Sequence, residues 1–260
     1  MPHTSETRRK QLERHGFVVL HDFAPPPLVA EVSRRVAELF LVEGAAAGAE
    51  FKQEVGARRL ANVVNKGEIF SRLIAEPSIL DLVRHVLSDD MKLSSLNVRM
   101  AEPQNQSPQP LHCDMGAVPD ARGYWVCNVV WMLDEFTEDN GALRVVPGSH
   151  RSGKLPQHAL DDVTASHPDE YHITGSAGSV VVMNAHLWHG GLANRTDRPR
   201  TALHAFYCRG DKPQQQYQKQ LLDAAVQAGF SQAIRQLLAL DDPRNDALCA
   251  DGEQRSGFLA

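Results

Sequence analysis

The sequence has no apolar run long enough to cross a bilayer. It also has no lysine- or arginine-rich stretch, and its formal net charge is -5. Non-specific nucleic-acid binding needs a concentrated positive field, so neither a nucleic acid nor a membrane is expected as partner. Cysteine is scarce. Cys113, Cys127, Cys208 and Cys249 stand at no CxxC or finger spacing, which speaks against a thiolate-rich zinc site. The opening MPHTSETRRKQLERHGF lacks the apolar centre of an export signal, so a cytoplasmic protein with reduced thiols is expected. Internal repeats, low-complexity tracts and linker-like segments are all missing.

What is present is the profile of an ordinary globular chain, 42% hydrophobic and 23% charged over 260 residues. Residues 5–15 read as a charged helix ending at Gly16, and FVVLHDF (17–23) as a strand stopped by Pro25-Pro26-Pro27. Leu28, Val32, Val36 and Leu39 recur at intervals of three and four, predicting an amphipathic helix over 28–40. The stretch 43–59 has no clean period and reads as mobile or as a lid. Residues 69–87 read as a helix broken near Pro77, because Glu76 before the proline is pushed out of helical geometry. From residue 91 short apolar stretches alternate with turns such as EDNG (138–141) and GSAG (175–178), the pattern of a β barrel or sandwich. Helix returns over 212–240, and the last twenty residues have no period. The expected organisation is one domain over 1–260. A β core at 91–209 is flanked by mainly helical segments at 1–90 and 210–260.

Within QPLHCDMGAVPD (109–120), His112 and Asp114 stand two apart, so an extended backbone points both to one face while Cys113 points away. One nitrogen and one carboxylate oxygen suit a borderline divalent metal such as iron, although an isolated H-x-D is more often a loop histidine hydrogen-bonded to its surroundings. A third donor stands 77 residues later. His189 follows the apolar strand GSVVVMN and precedes Gly190-Gly191, whose missing side chains permit close approach. Two histidines and a carboxylate make the facial triad of non-haem iron(II) oxygenases. His186 is the rival third donor, and strand alternation alone does not decide between them. Eleven residues past His189, Arg200 opens the next apolar strand, and its planar fork can hold a carboxylate bidentately. Arg195 and Arg198 lie in the preceding turn and are expected in solvent.

HCD, EDNGALRVVPGSH (138–150) and HGGLANRTDRPRTAL (189–203), with the early GFVVLHDF, resemble the phytanoyl-CoA dioxygenase family of iron(II)- and 2-oxoglutarate-dependent oxygenases. The resemblance covers about residues 15–210. It implies a mainly β fold with flanking helices, the double-stranded β-helix or cupin-like jelly roll. It also implies that His112, Asp114 and His189 bind iron(II), that Arg200 holds the far carboxylate of 2-oxoglutarate, and that dioxygen is the second co-substrate. Asn97 and Asn128 match positions that contact the co-substrate, or are polar groups satisfied within the sheet. Where relatives place a serine or threonine two residues after the arginine, this chain has Ala202, so the anchor needs another donor. Asp114 occupies the position that halogenating relatives reduce to a small residue, so hydroxylation or another C–H oxidation of a small molecule is expected.

Candidates to face the substrate are Met115, Asn62, His186 and Trp188, with Trp125, Trp131, Lys52, Arg59 and Asn65 as further residues able to line the mouth. Phytanoyl-CoA itself is a poor fit, since no basic cluster suits its phosphate tail. Two other classes stay open: a cupin-type metal-dependent isomerase or lyase, and a non-catalytic small-molecule binder on the same scaffold. Oligomeric state, whether monomer or homodimer, is not legible.

Overall fold

The computed structural model describes residues 4–50, 54–106 and 108–250. Helix α1 (Ser5–His15) starts where the Thr4 hydroxyl accepts the Thr7 amide, and ends at Gly16, whose φ of 84° needs no Cβ. Strand β1 (Phe17–Leu20) is shorter than expected. The chain turns at Asp22, which has φ of 50°. The three prolines expected to stop this strand instead open α2 (Pro26–Glu43), since proline is pre-set for a first helical turn. Val32, Val36, Leu39 and Phe40 form its buried stripe.

The segment expected as a lid is partly built into the sheet. After a single turn at Gly44–Ala46 it enters β2 (Ala57–Leu60), an edge strand paired with the far end of β3 (Met91–Ala101). Lys52 falls outside the described residues. The break near Pro77 is present, with α3 (Glu68–Ile74) and α4 (Pro77–Leu87) as separate helices and the Glu76 carboxylate accepting the Ser78 amide.

The strands β3 (Met91–Ala101), β4 (Val126–Met132), β5 (Leu143–Val145), β6 (Tyr171–Ile173), β7 (Val180–Asn184), β8 (His189–Gly191) and β9 (Arg200–Arg209) complete two antiparallel sheets. The larger runs β1-β7-β4-β9-β3-β2, the smaller β6-β5-β8. Alternation along the large sheet explains its two coats. Val129, Trp131, Leu203, Ala205 and Tyr207 face the helices. Val130, Met132, Met183 and Ala202 face Leu143, Val145 and Ile173 of the small sheet. The result is the expected jelly-roll sandwich with helices on one face.

The predicted helix over 212–240 is three short ones, α5 (Gln218–Leu221), α6 (Ala224–Ala228) and α7 (Gln232–Leu237). Each break has a local cause. Asp223 is extended, Gly229 follows α6, and Ser231 caps α7 through its hydroxyl. Ahead of them, buried Gln214 donates to the carbonyls of Leu93 and Leu238, and Gln216 to Asn97 Oδ1, so polar side chains close this end of the barrel. The final stretch, read as aperiodic, holds α8 (Pro243–Ala250), docked by buried Asn245 on Gln214. Among the described residues no helix is long and apolar enough to cross a membrane.

Candidate metal centre

His112, Asp114 and His189 converge, with one ligand atom from each lying within 4.8 Å of the others. His189 Nε2 is 3.4 Å and His112 Nε2 3.8 Å from Asp114 Oδ1, and the two rings lie 4.3 Å apart. Pairing between distant segments creates this. The amide of each histidine donates to the carbonyl of the other, at 2.9 and 3.0 Å, and the Asp114 amide donates to Ala185 O. The ring tautomers follow from their backs. Nδ1 of His112 donates to Pro110 O at 3.0 Å and Nδ1 of His189 to Leu187 O at 2.8 Å. Both Nε2 lone pairs are thereby turned toward Asp114, the second-contact arrangement that fixes imidazole ligands. Two nitrogens and one oxygen suit iron(II). His186 does not join them. Its ring sits between Tyr124 and Trp125 with Nδ1 on Asn184 Oδ1.

The glycines after His189 serve the chain rather than a ligand. A Cβ on Gly190 would stand 2.9 Å from Gln109 O and 3.1 Å from Pro110 O. Buried Arg144, paired with Glu170, donates to that same Gln109 carbonyl and to Val163 O. Gly190 thus lets the 109–112 segment lie flat on β8 and deliver His112. Gly190→Ala should destabilise the fold by about 1–3 kcal/mol, the range for overpacking, and weaken metal binding as well. Paired urea unfolding and metal titration check both effects.

Burial pushes the Asp114 carboxyl up, but His189 and His112 beside it win and hold it below the usual carboxylate range. Burial and the neighbouring His189 pull His112 down to about 4. Asn128, the one inward polar residue of β4, donates Nδ2 to Asp114 Oδ2 at 3.2 Å. Asn128→Leu should therefore reduce metal affinity about 10–100-fold, as loss of a ligand's supporting hydrogen bond does elsewhere. Competition against a chelating dye measures it.

Arg200 is 3% exposed. Its Nη2 donates to Gly141 O at 2.6 Å and its guanidinium stacks 4.2 Å from the Phe136 ring, while Nε has no partner. Among the described residues no carboxylate forms an ion pair with it. Burial and the Arg99 charge pull its pKa down to about 9, still protonated at neutral pH. A buried cation without a counter-charge is unfavourable, and an incoming carboxylate satisfies it.

The cavity before the triad encloses about 70 Å³ and holds further residues that belong to no sequence motif. Arg99, Gln109, His204 and Gln215 line it. Period-two alternation carries the signal for two of them. Asn97 and Arg99 share one face of β3, as do Arg200 and His204 on β9. Burial, then the Arg59, Arg99 and Arg200 charges, hold His204 at about 3. The unfolded chain takes up this proton near pH 6.5 and the folded one does not, so stability falls as pH drops from about 6.5 toward 3. His204→Gln should reduce that slope by about 1.4 kcal/mol per pH unit in denaturant titrations.

The other expected residues divide. Met115, with φ of 56°, and Asn97 line the cavity, but the Asn97 oxygen already accepts from the Asn62 amide and Gln216. The structure does not bring Asn62, His186 or Trp188 to that cavity. Asn62 donates to Leu221 O and, with Asn65 on Asp223, clamps the C-terminal segment. Trp188 points opposite to His189, packs with Leu111, Cys113 and Val146, and donates to Lys154 O. Trp131 lies under the helices against Phe23, and Trp125 donates to Val118 O. Cys113 is buried away from the triad, its thiol on His186 O and pushed up to about 12 by burial.

The sequence matches the family model described as phytanoyl-CoA dioxygenase over residues 12–202. It is 30% identical over 172 residues to dioxygenase af480 of Aspergillus fumigatus, covering 65% of this chain and 54% of that protein. The chain thus spans about half the length of that relative. It is 26% identical over 227 residues to ectoine dioxygenase of Sphingopyxis alaskensis, covering 75% and 72%. Among solved structures, the fold is similar to HygX from Streptomyces hygroscopicus with nickel and 2-oxoglutarate bound. The TM-score is 0.67 at 16% identity, covering 82% of this chain and 90% of that one. EctD from S. alaskensis with bound Fe gives 0.66 at 22% identity, covering 80% and 77%. The convergent His112, Asp114 and His189, the jelly roll around them and the match over most of the chain agree: the chain belongs to the phytanoyl-CoA dioxygenase family.

Proposed function

We propose that the chain is a non-haem iron(II)- and 2-oxoglutarate-dependent dioxygenase that oxidises a C–H bond of a small molecule. The observation that carries this is the pairing of a two-histidine, one-carboxylate cluster with a buried arginine that has no counter-carboxylate among the described residues. Iron(II) with 2-oxoglutarate and dioxygen supplies the oxidising power, releasing succinate and carbon dioxide. In this reading His112, Asp114 and His189 hold the metal, their tautomers set by Pro110 O and Leu187 O. Arg200 holds the far carboxylate of the co-substrate, Asn128 keeps Asp114 oriented, and the apolar inward face around Val130 and Met183 keeps water out. Asp114 would supply the carboxylate ligand, where halogenating relatives have a small residue in its place, and this supports hydroxylation or a related C–H oxidation. A metal-dependent isomerase or lyase has no use for an unpaired Arg200.

Single-domain organisation is supported by one core cluster that runs from Leu12 to Leu240. A reducing compartment, the cytoplasm, is the proposed location, since all four thiols are unpaired and three are buried. Anaerobic addition of iron(II) and 2-oxoglutarate tests the function. A weak charge-transfer band should appear only with both present. Absence of that band, with iron binding intact in His112→Ala, overturns the reading.

A further inference from the structure

Arg200 alone does not satisfy an incoming carboxylate. Such a group accepts at about four lone-pair sites. One Arg200 donor is already committed to Gly141 O, and Ala202, next on the same face of β9, has none to add. Strand β3 supplies what β9 lacks. Arg99 is the direct partner of Ala202, as Ala101 is of Arg200, so both guanidinium groups start from one face of adjacent strands.

The Arg99 guanidinium is held from one side. Its Nε donates to both Glu54 oxygens at 3.2 Å and its Nη2 to Oε1 at 2.5 Å, a two-point fork that fixes the plane of the group. Glu54 also accepts from Arg59 Nη2 at 2.6 Å and from Gln109 Nε2 at 3.0 Å. Gln109 Oε1 in turn accepts the Gly191 amide at 3.0 Å, which ties the fork to β8 and its His189. Arg99 Nη1 is left over. Among the described residues it has no hydrogen-bond partner, and it ends 3.8 Å from where a Cβ on Gly191 would stand. Arg200 Nη2 ends 3.4 Å from a Cβ placed on Gly141, which would itself touch the carbonyl of Leu192, the residue after Gly191. The two guanidinium groups thus converge on one stretch of backbone. Of the two, Arg99 lines the cavity before the triad and Arg200 does not.

Resting on the oxygenase reading above, we propose that Arg99 Nη1 is the second donor to the far carboxylate of 2-oxoglutarate, which lies between Arg99 and Arg200. A carboxylate moving from the cavity toward Arg200 meets Arg99 on the way. Ala202 keeps the space across from Arg99 open, and a longer side chain there would fill it. Glu54 acts through Arg99 as a positioning residue, since holding Nε and Nη2 leaves Nη1 turned to the cavity.

The test uses the full chain with iron(II) under anaerobic conditions and compares 2-oxoglutarate with 2-oxopentanoate. Both offer the metal the same keto acid, and only the first has a far carboxylate. Dissociation constants come from the charge-transfer band and from calorimetry, without turnover. Arg99→Lys keeps a cation for Glu54 and removes the second branch of the fork. It should weaken 2-oxoglutarate about tenfold or more, the order lost with one charge-assisted hydrogen bond. Binding of 2-oxopentanoate, and of iron(II) without any keto acid, should stay within about twofold. Arg99→Gln should behave alike and replaces the lysine variant if that one melts early. Equal weakening of both keto acids or of iron(II) would make Arg99 a structural residue of the metal loop. Unchanged 2-oxoglutarate binding would leave Nη1 to the primary substrate, and either result overturns the proposal. A band missing from the unaltered protein sinks the oxygenase reading instead, a separate outcome.

Discussion

Asp114→Ala is expected to lower 2-oxoglutarate turnover by at least about 1,000-fold while leaving the fold in place. Metal Lewis acidity is worth several kcal/mol of barrier, and about 4 kcal/mol is three decades in rate. Asp114 is the one anionic donor of the cluster, and it is held from two sides, by the Ala185 carbonyl through its amide and by Asn128 through its side chain. Without it, two neutral imidazoles remain. The fold should tolerate the change. Asp114 is what raises the His189 pKa, so without it burial keeps that ring neutral and no unpaired buried charge is left. Succinate release and a metal titration, set beside a thermal melt, read the three effects. A melt collapsed to the unfolded baseline would make Asp114 a folding residue, and unchanged turnover would remove it from the reaction.

Arg200→Met is expected to raise the 2-oxoglutarate concentration for half-saturation about 30- to 4,000-fold. That follows from a loss of about 2–5 kcal/mol for truncating one partner of a buried charged pair. Binding of iron(II) alone should stay within about twofold, since Arg200 touches Gly141 O and Phe136 and no metal donor. The sign of the stability change discriminates further. In the ligand-free protein Arg200 is a buried cation whose Nε has no partner, and replacing such a charge by an apolar side chain of similar length is neutral or stabilising. The variant's melting temperature should match or exceed that of the unaltered protein. A variant that melts far lower, or one that keeps its affinity for 2-oxoglutarate, would show that Arg200 serves the fold and not the co-substrate.

Much of this site was legible because strand geometry is periodic. His112 and Asp114 two apart, His189 at a strand end and Arg200 at the start of the next strand all follow from local pattern. His204 and Arg99 obey the same alternation and were within reach of it, through Arg200 and Asn97 on their own strands. The expected substrate-facing residues that do not line the cavity share another property. Asn62, His186 and Trp188 have the chemistry of binding residues, but their hydrogen bonds go to Leu221 O, Asn184 and Lys154 O, each set by packing between distant segments. The C-terminal region departs from the single expected helix for a related reason. Apolar spacing over 217–240 is helical on average, while Asp223, Gly229 and Ser231 interrupt it one residue at a time.

By itself the sequence determined the donor set, two nitrogens and one carboxylate, the arginine on the following strand, and the β-rich core between helices. These rest on residue type and on spacing within a single strand, where backbone geometry alone sets which way a side chain points. Only the tertiary structure decided that His189 and not His186 completes the cluster, that Gly190 exists to admit the Gln109–Pro110 backbone, and that Glu54 is shared between two arginines. Those outcomes depend on which strands lie side by side and in what register. Registers such as Arg59 against Arg99 and Arg99 against Ala202 are settled by burial of the whole sheet, a sum over many residues that no short stretch contains.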